Sequence, residues 1–96
     1  MLREPCVYIL ADQNNETLYI GVTSSLRARV KQHLKKLQSG VTACHALNRL
    51  VWFEIHETMD SAVDRERQLK AGGRQQQQEL INDLNPRWQD LYLSLL

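Results

Sequence analysis

The chain has 96 residues, 43% of them hydrophobic and only 6% aromatic, enough for one modest, mainly aliphatic core and so for a single domain over residues 1–96. A net charge of +1 gives no global field for a polyanionic partner. No run approaches the roughly 20 apolar residues of a membrane span, Met1-Leu2-Arg3-Glu4-Pro5 lacks the apolar stretch of a signal peptide, and Cys6 and Cys44 form no Cys-x-x-Cys. The expectation is a cytoplasmic protein with reduced thiols and no membrane partner.

Cys6-Val7-Tyr8-Ile9-Leu10 and Leu18-Tyr19-Ile20-Gly21-Val22 are short apolar runs, each with a tyrosine near its middle. The polar stretch from Ala11 to Thr17 between them is rich in turn-forming side chains, so the pair predicts an antiparallel hairpin. Gly21 marks a place where the second strand turns or something approaches closely. Thr23-Ser24-Ser25 offers N-cap oxygens for a helix starting near Leu26. Leu26, Val30, Leu34 and Leu37 form its apolar stripe, and Gly40 is a C-cap candidate. No acidic residue occurs between Glu16 and Glu54, whereas Arg27, Arg29, Lys31, Lys35, Lys36 and Arg49 fall in that gap. A locally basic helix on a nearly neutral protein follows.

Val41 to Leu47 reads as a loop or short helical turn, and Leu50 to His56 as a third strand. A second helix is expected from about Asp60 to Ala71, broken by Gly72-Gly73, and a third from Arg74 to Leu84, stopped by Asn85-Pro86. Gln75 to Gln78 reads as the exposed face of that third helix. Trp88, Leu91, Tyr92 and Leu95 form a tail that can pack on the core. The order is ββαβαα, an α/β (α+β) fold with a three-stranded antiparallel sheet flanked by helices.

Arg29 and His33, four residues apart on one flank of the first helix, can address one phosphate together. A lone histidine there is otherwise structural, and the remaining basic residues are otherwise a solvated face. In the second helix Glu66 falls in direction between Ala62 and Val63, inside the apolar stripe. It is either a buried carboxylate, to be paired, protonated or metal-bound, or it leans out to Lys70 at i+4. The two tyrosines are either packed rings or chemical hydroxyls. Cys44-His45 lacks the geometry of a thiol–imidazole pair, the three histidines lack zinc-ligand spacing, and no glycine-rich phosphate loop occurs.

Taken in order, these residues resemble the GIY-YIG nuclease superfamily. Cys6-Val7-Tyr8 stands where Gly-Ile-Tyr is expected, and Tyr19-Ile20-Gly21 matches the second motif fully. The likeness continues through Thr23, the helix of Arg29 and His33, the strand Leu50-Val51-Trp52-Phe53, and Glu66 in Arg65-Glu66-Arg67-Gln68-Leu69-Lys70. The tail Asn85-Pro86-Arg87-Trp88-Gln89-Asp90-Leu91 is similar to the small stand-alone bacterial members, often called YhbQ-like.

The resemblance implies a divalent-metal-dependent DNA endonuclease, or structure-dependent nuclease, acting in repair or processing on duplex, branched or single-stranded DNA. Glu66 would hold one Mg²⁺ or Mn²⁺, and Arg29 would neutralise the scissile phosphate. Tyr8, helped by Tyr19 or His33, would deprotonate or orient water, its pKa lowered by Arg29 and the metal. Arg27, Lys31, Lys35, Lys36 and Arg74 would contact nucleic acid, with Gly21 and Asn85 in support and no small-molecule cofactor. Two departures stand out. Cys6 replaces the first glycine, and Ala71 to Gln78 carries one arginine and glutamines where the small members have an aromatic and several basic residues. Fewer cations weaken phosphate binding, which sustains a second reading, a non-catalytic nucleic-acid-binding module. A third is a protein–protein adaptor acting through the tail around Trp88 and Tyr92.

Overall fold

The structure, a computed structural model, describes residues 4–38 and 47–95; the side chains of residues 33–38 and of Asn48 lie outside that description. Strand β1 (Cys6–Asp12) pairs antiparallel with β2 (Leu18–Thr23) on one side and with β3 (Leu47–Ile55) on the other. The sheet order is therefore β2-β1-β3. The hairpin is held at its tip by Asp12, whose carboxylate accepts the Glu16 N–H at 2.8 Å. Arg49 donates to the Asp12 carbonyl and to the Trp88 carbonyl, tying that tip to the tail. Helix α1 (Leu26–Gln38) begins where Thr23 Oγ1 accepts the Ser25 N–H, as the Thr-Ser-Ser run predicts.

The central strand explains why the first apolar run shows no alternation. Val7, Ile9 and Ala11 face α2 (Met59–Leu84) in a core with Trp52, Ala62, Leu69 and Ile81. Tyr8 and Leu10 face α1 in a second core with Val30 and Leu50. Both faces of β1 are dry from Cys6 to Ala11, so every position in that run is apolar or a buried tyrosine. The tail closes both cores: Trp88 packs on the first, while Leu91, Tyr92 and Leu95 of the 3-10 turn Leu91–Leu95 pack on the second. An adaptor surface on Trp88 and Tyr92 therefore loses its basis.

The expected second and third helices are the two halves of α2. Thr58 caps its start by accepting the Ser61 N–H at 3.1 Å. Gly73, at φ 81° and ψ 173°, breaks it where Gly72-Gly73 predicts a break. An L side chain rarely adopts that φ. Across the kink the Gln77 amide donates to the Leu69 carbonyl at 3.0 Å. Gln77 is thus buried, not part of an exposed glutamine face, and Leu84, expected on the apolar side, is exposed. Strand β3 starts at Leu47, earlier than the alternation suggests. The Gly40 cap and the loop reading of residues 41–46 lie outside the described residues.

The register of β1 and β3 shifts between Ile9 and Leu10, so that Val51 is an extra residue between Leu50 and Trp52. Such a bulge frees a backbone carbonyl from the ladder. Asn85 takes it up: its Nδ2 donates to the Val51 carbonyl at 3.1 Å and to the Gln89 carbonyl at 2.8 Å, while its Oδ1 accepts the Gln89 N–H. Asn85 therefore joins the end of α2, the bulge and the tail. Replacing it with alanine leaves a buried carbonyl unpaired, and Asn85→Ala is expected to lower stability by about 1–3 kcal/mol. Thermal denaturation checks this; an unchanged midpoint would show that the clamp carries no stability.

Candidate active site

Tyr8 pairs across the sheet with Gly21, and alternation puts Tyr8, Tyr19 and Gly21 on the α1 face. The two tyrosine rings lie 6.1 Å apart at 42°. A Cβ placed on Gly21 would stand 2.7 Å from Tyr8 Oη and 2.9 Å from Tyr19 Cε1. That is closer than any van der Waals contact. Gly21 is therefore glycine because the Tyr8 hydroxyl lies over its backbone. It does not end β2, which runs on to Thr23, and its close approach, not a turn, is the reason for the residue.

Two charged side chains act on this hydroxyl. Burial keeps the proton on Tyr8 well above its ordinary range, with Tyr19 next in effect. Tyr19 also accepts a hydrogen bond that favours the neutral phenol. The positive charge of Arg29 pulls the other way and the negative charge of Glu66 adds to the rise. Arg29 alone thus does not lower the Tyr8 pKa as expected: loss of hydration outweighs one exposed guanidinium. The same balance reports proximity, because groups from α1 and α2 both reach the Tyr8 oxygen electrostatically.

Tyr8, Tyr19, Arg29 and Glu66 are thereby brought together from four elements. His33 lies in α1 one turn beyond Arg29, but its side chain, like those of Lys35 and Lys36, lies outside the described residues. Arg27 and Lys31 are exposed on α1. Arg74 is engaged by the hairpin tip, where it donates to the carbonyls of Asn15 and Glu16. Arg49, in the same acid-free stretch as the helix cations, is likewise spent on structure. Neither use is written in local sequence, since both partners lie at the hairpin tip, far along the chain.

Glu66 meets both sequence alternatives part-way. Its side chain is 20% exposed, and Lys70 Nζ stands 3.6 Å from Oε2, beyond hydrogen-bond length. Among the described residues no three His, Cys, Asp or Glu side chains gather as a metal cage. A hard divalent cation that keeps most of its waters and takes one carboxylate plus substrate oxygens fits such a donor set. A zinc-type site does not. Reasoning from sequence passes over a second polar cluster, in which His56 Nε2 meets Glu54 Oε1 at 2.7 Å and Arg65 Nε donates to the same oxygen at 3.1 Å. It pins the end of β3 to the start of α2.

The GIY-YIG catalytic domain matches residues 4–79. A UPF0213 protein of Haloquadratum walsbyi is 31% identical over 77 residues, covering 80% of this chain and 85% of that protein. No solved structure matches. The chain belongs to the GIY-YIG nuclease family. The family acts on nucleic acid and is generally dependent on a divalent metal. No described helix is long and apolar enough to cross a membrane.

Two outcomes are expected from this geometry. Gly21→Ala forces the buried Tyr8 ring aside and costs about 1–3 kcal/mol, as overpacking does, which a denaturant titration reads directly. The second concerns alkaline pH. Burial raises the Cys6 thiol from 9.0 to about 11, so the unfolded chain releases that proton first. The associated stability is whole below pH 9 and is lost as pH rises through about 11. Tyr8, also raised, adds a loss that starts above its ordinary 10.0. Melting temperatures should fall across this window, with Cys6→Ala removing the lower part of the fall and Tyr8→Phe the upper part.

Proposed function

We propose that residues 1–96 act as one unit, a DNA endonuclease that hydrolyses a phosphodiester bond with a single Mg²⁺ or Mn²⁺ held at Glu66. The observation that carries this reading is the convergence of Arg29 and Glu66, from two helices, on buried Tyr8 and its exposed neighbour Tyr19. The cation, when bound, stabilises charge on the scissile phosphate and the leaving oxygen. Arg29, exposed on α1, meets the phosphate as its negative charge grows. Tyr8 enters as a phenol, not a phenolate. Its hydroxyl, held by Tyr19, orients the attacking water, and the water's proton leaves toward the His33 imidazole or solvent. Arg27, Lys31, Lys35 and Lys36 hold the flanking backbone without reading bases. The substrate is duplex, branched or single-stranded DNA, met in repair or processing in the cytoplasm.

The binding-module alternative draws on Lys70 beside Glu66 and on Arg74 being engaged at the hairpin tip. The two readings separate in one series of assays. In the nuclease reading Glu66→Ala loses cleavage by roughly 10²–10³-fold, the scale of removing one charge-stabilising group, while binding persists. Arg29→Ala loses roughly 10³-fold or more. Tyr8→Phe loses roughly 10²-fold and keeps the fold. Wild-type protein that cleaves plasmid, branched and single-stranded DNA no better than Glu66→Ala would favour the binding module.

A further inference from the structure

We propose that the cavity lined by Cys6 and Phe53, sheet neighbours of Tyr8, receives one unpaired nucleobase of the substrate strand. This rests on the nucleic-acid reading above and adds to it the form of DNA preferred. The cavity has a volume of about 340 Å³, at the lower end of the roughly 300–1,000 Å³ of small-molecule sites. It has room for one nucleobase. Cys6 forms its floor, and Leu26, Phe53 and Leu95 are among its walls. The last three belong to the α1-side core, so the cavity is the unfilled end of that core. Glu4 and Arg27, both exposed, stand at its rim.

Position is the first argument. Cys6 lies two residues before Tyr8 on the same face of β1, about 7 Å along the strand. Phe53 is the partner of Tyr8 across the sheet. Arg27, two residues before Arg29, is on the other flank of α1. A strand whose phosphate reaches the Tyr8 face of the sheet thus carries a neighbouring base toward the mouth of the cavity.

Chemistry is the second. Leu26, Phe53, Ile55 and Leu95 make most of the lining apolar, with one half-buried aromatic ring, while Ser25 and the protonated Cys6 thiol are its uncharged polar groups. A base has a π-face for Phe53 and a sequence-tolerant attraction to it. The Glu4 carboxylate can accept from an exocyclic amino group, which cytosine, adenine and guanine have and thymine lacks. Arg27 remains free to meet the adjoining phosphate. A base stacked in a duplex must first be unpaired to enter, whereas one in a flap, loop or single strand need not.

The test is anisotropy binding of labelled short oligonucleotides in EDTA, where no cleavage occurs, using poly-dC, poly-dT and an abasic backbone of equal length. Wild-type protein should bind poly-dC more tightly than poly-dT, and both more tightly than the abasic strand. Phe53→Ala should weaken poly-dC by roughly 5- to 100-fold, the scale of one lost stacking contact, and leave the abasic strand unchanged. Leu95→Trp, which narrows the cavity while keeping an apolar side chain on the α1-side core, should do the same, and Glu4→Ala should erase the preference for dC over dT. Equal affinity of the wild type for base-bearing and abasic strands would overturn the proposal, as would an unaltered ratio in Phe53→Ala and Leu95→Trp. Base discrimination by a protein that leaves the same strands uncut when Mg²⁺ or Mn²⁺ is supplied would support the cavity and sink the nuclease reading. Glu66-dependent cleavage without base discrimination would do the reverse.

Discussion

The structure depends on one close approach, the Tyr8 hydroxyl lying against the backbone of Gly21. A side chain at position 21 would occupy the same space. Because that space is empty, a full tyrosine can be buried at 1% exposure in the central strand and still direct its oxygen to Tyr19, toward the charges of α1 and α2. The burial that fixes the hydroxyl also holds its proton. Rigidity and acidity are therefore set by the same packing. A tyrosine free enough to ionise easily would not be held in place, and one held in place needs a cation to ionise.

That arrangement is possible because β1 is buried on both faces. Val7 and Ile9 anchor α2 on one side, while Tyr8 and Leu10 anchor α1 on the other. The two charged residues thus ride on helices docked independently to the same strand. The bulge at Val51 lets that residue and Trp52 both join the α2 core, and Asn85 answers for the carbonyl it frees. A polar residue far from Tyr8 in sequence in this way fixes the sheet on which Tyr8 sits. Its role is to hold the scaffold, and any support it lends to chemistry passes through β3.

Much of this was legible in the residues. The hairpin follows from two β-prone runs and a turn-rich loop, the α1 start from Thr23 to Ser25, and the kink of α2 from Gly72-Gly73. The end of α2 at Leu84 follows from Asn85-Pro86. These signals are local, each needing only a few neighbours to act. What was not legible depends on partners far along the chain. Gln77 looks like its exposed neighbours until the Leu69 carbonyl is seen across the kink. Arg49 and Arg74 look like free cations until the hairpin tip folds onto them. Glu66 could be placed on the apolar stripe by its angle, but its partial exposure depends on how α2 lies against the sheet. Gly21 was marked for close approach, and only the cross-strand register names Tyr8 as what approaches.

The central claim is that one phosphate is met jointly by the tyrosine pair, Arg29 and the Glu66 carboxylate. The most direct measurement is a crystal structure of the chain with a short oligonucleotide and Ca²⁺, an oxygen-seeking ion close in preference to Mg²⁺. The account predicts a single phosphate within hydrogen-bond reach of Arg29 and of a cation on Glu66, with a water positioned by Tyr8. A strand that lies only along the exposed cations of α1, with Glu66 still on Lys70 and no phosphate near Tyr8, would contradict it.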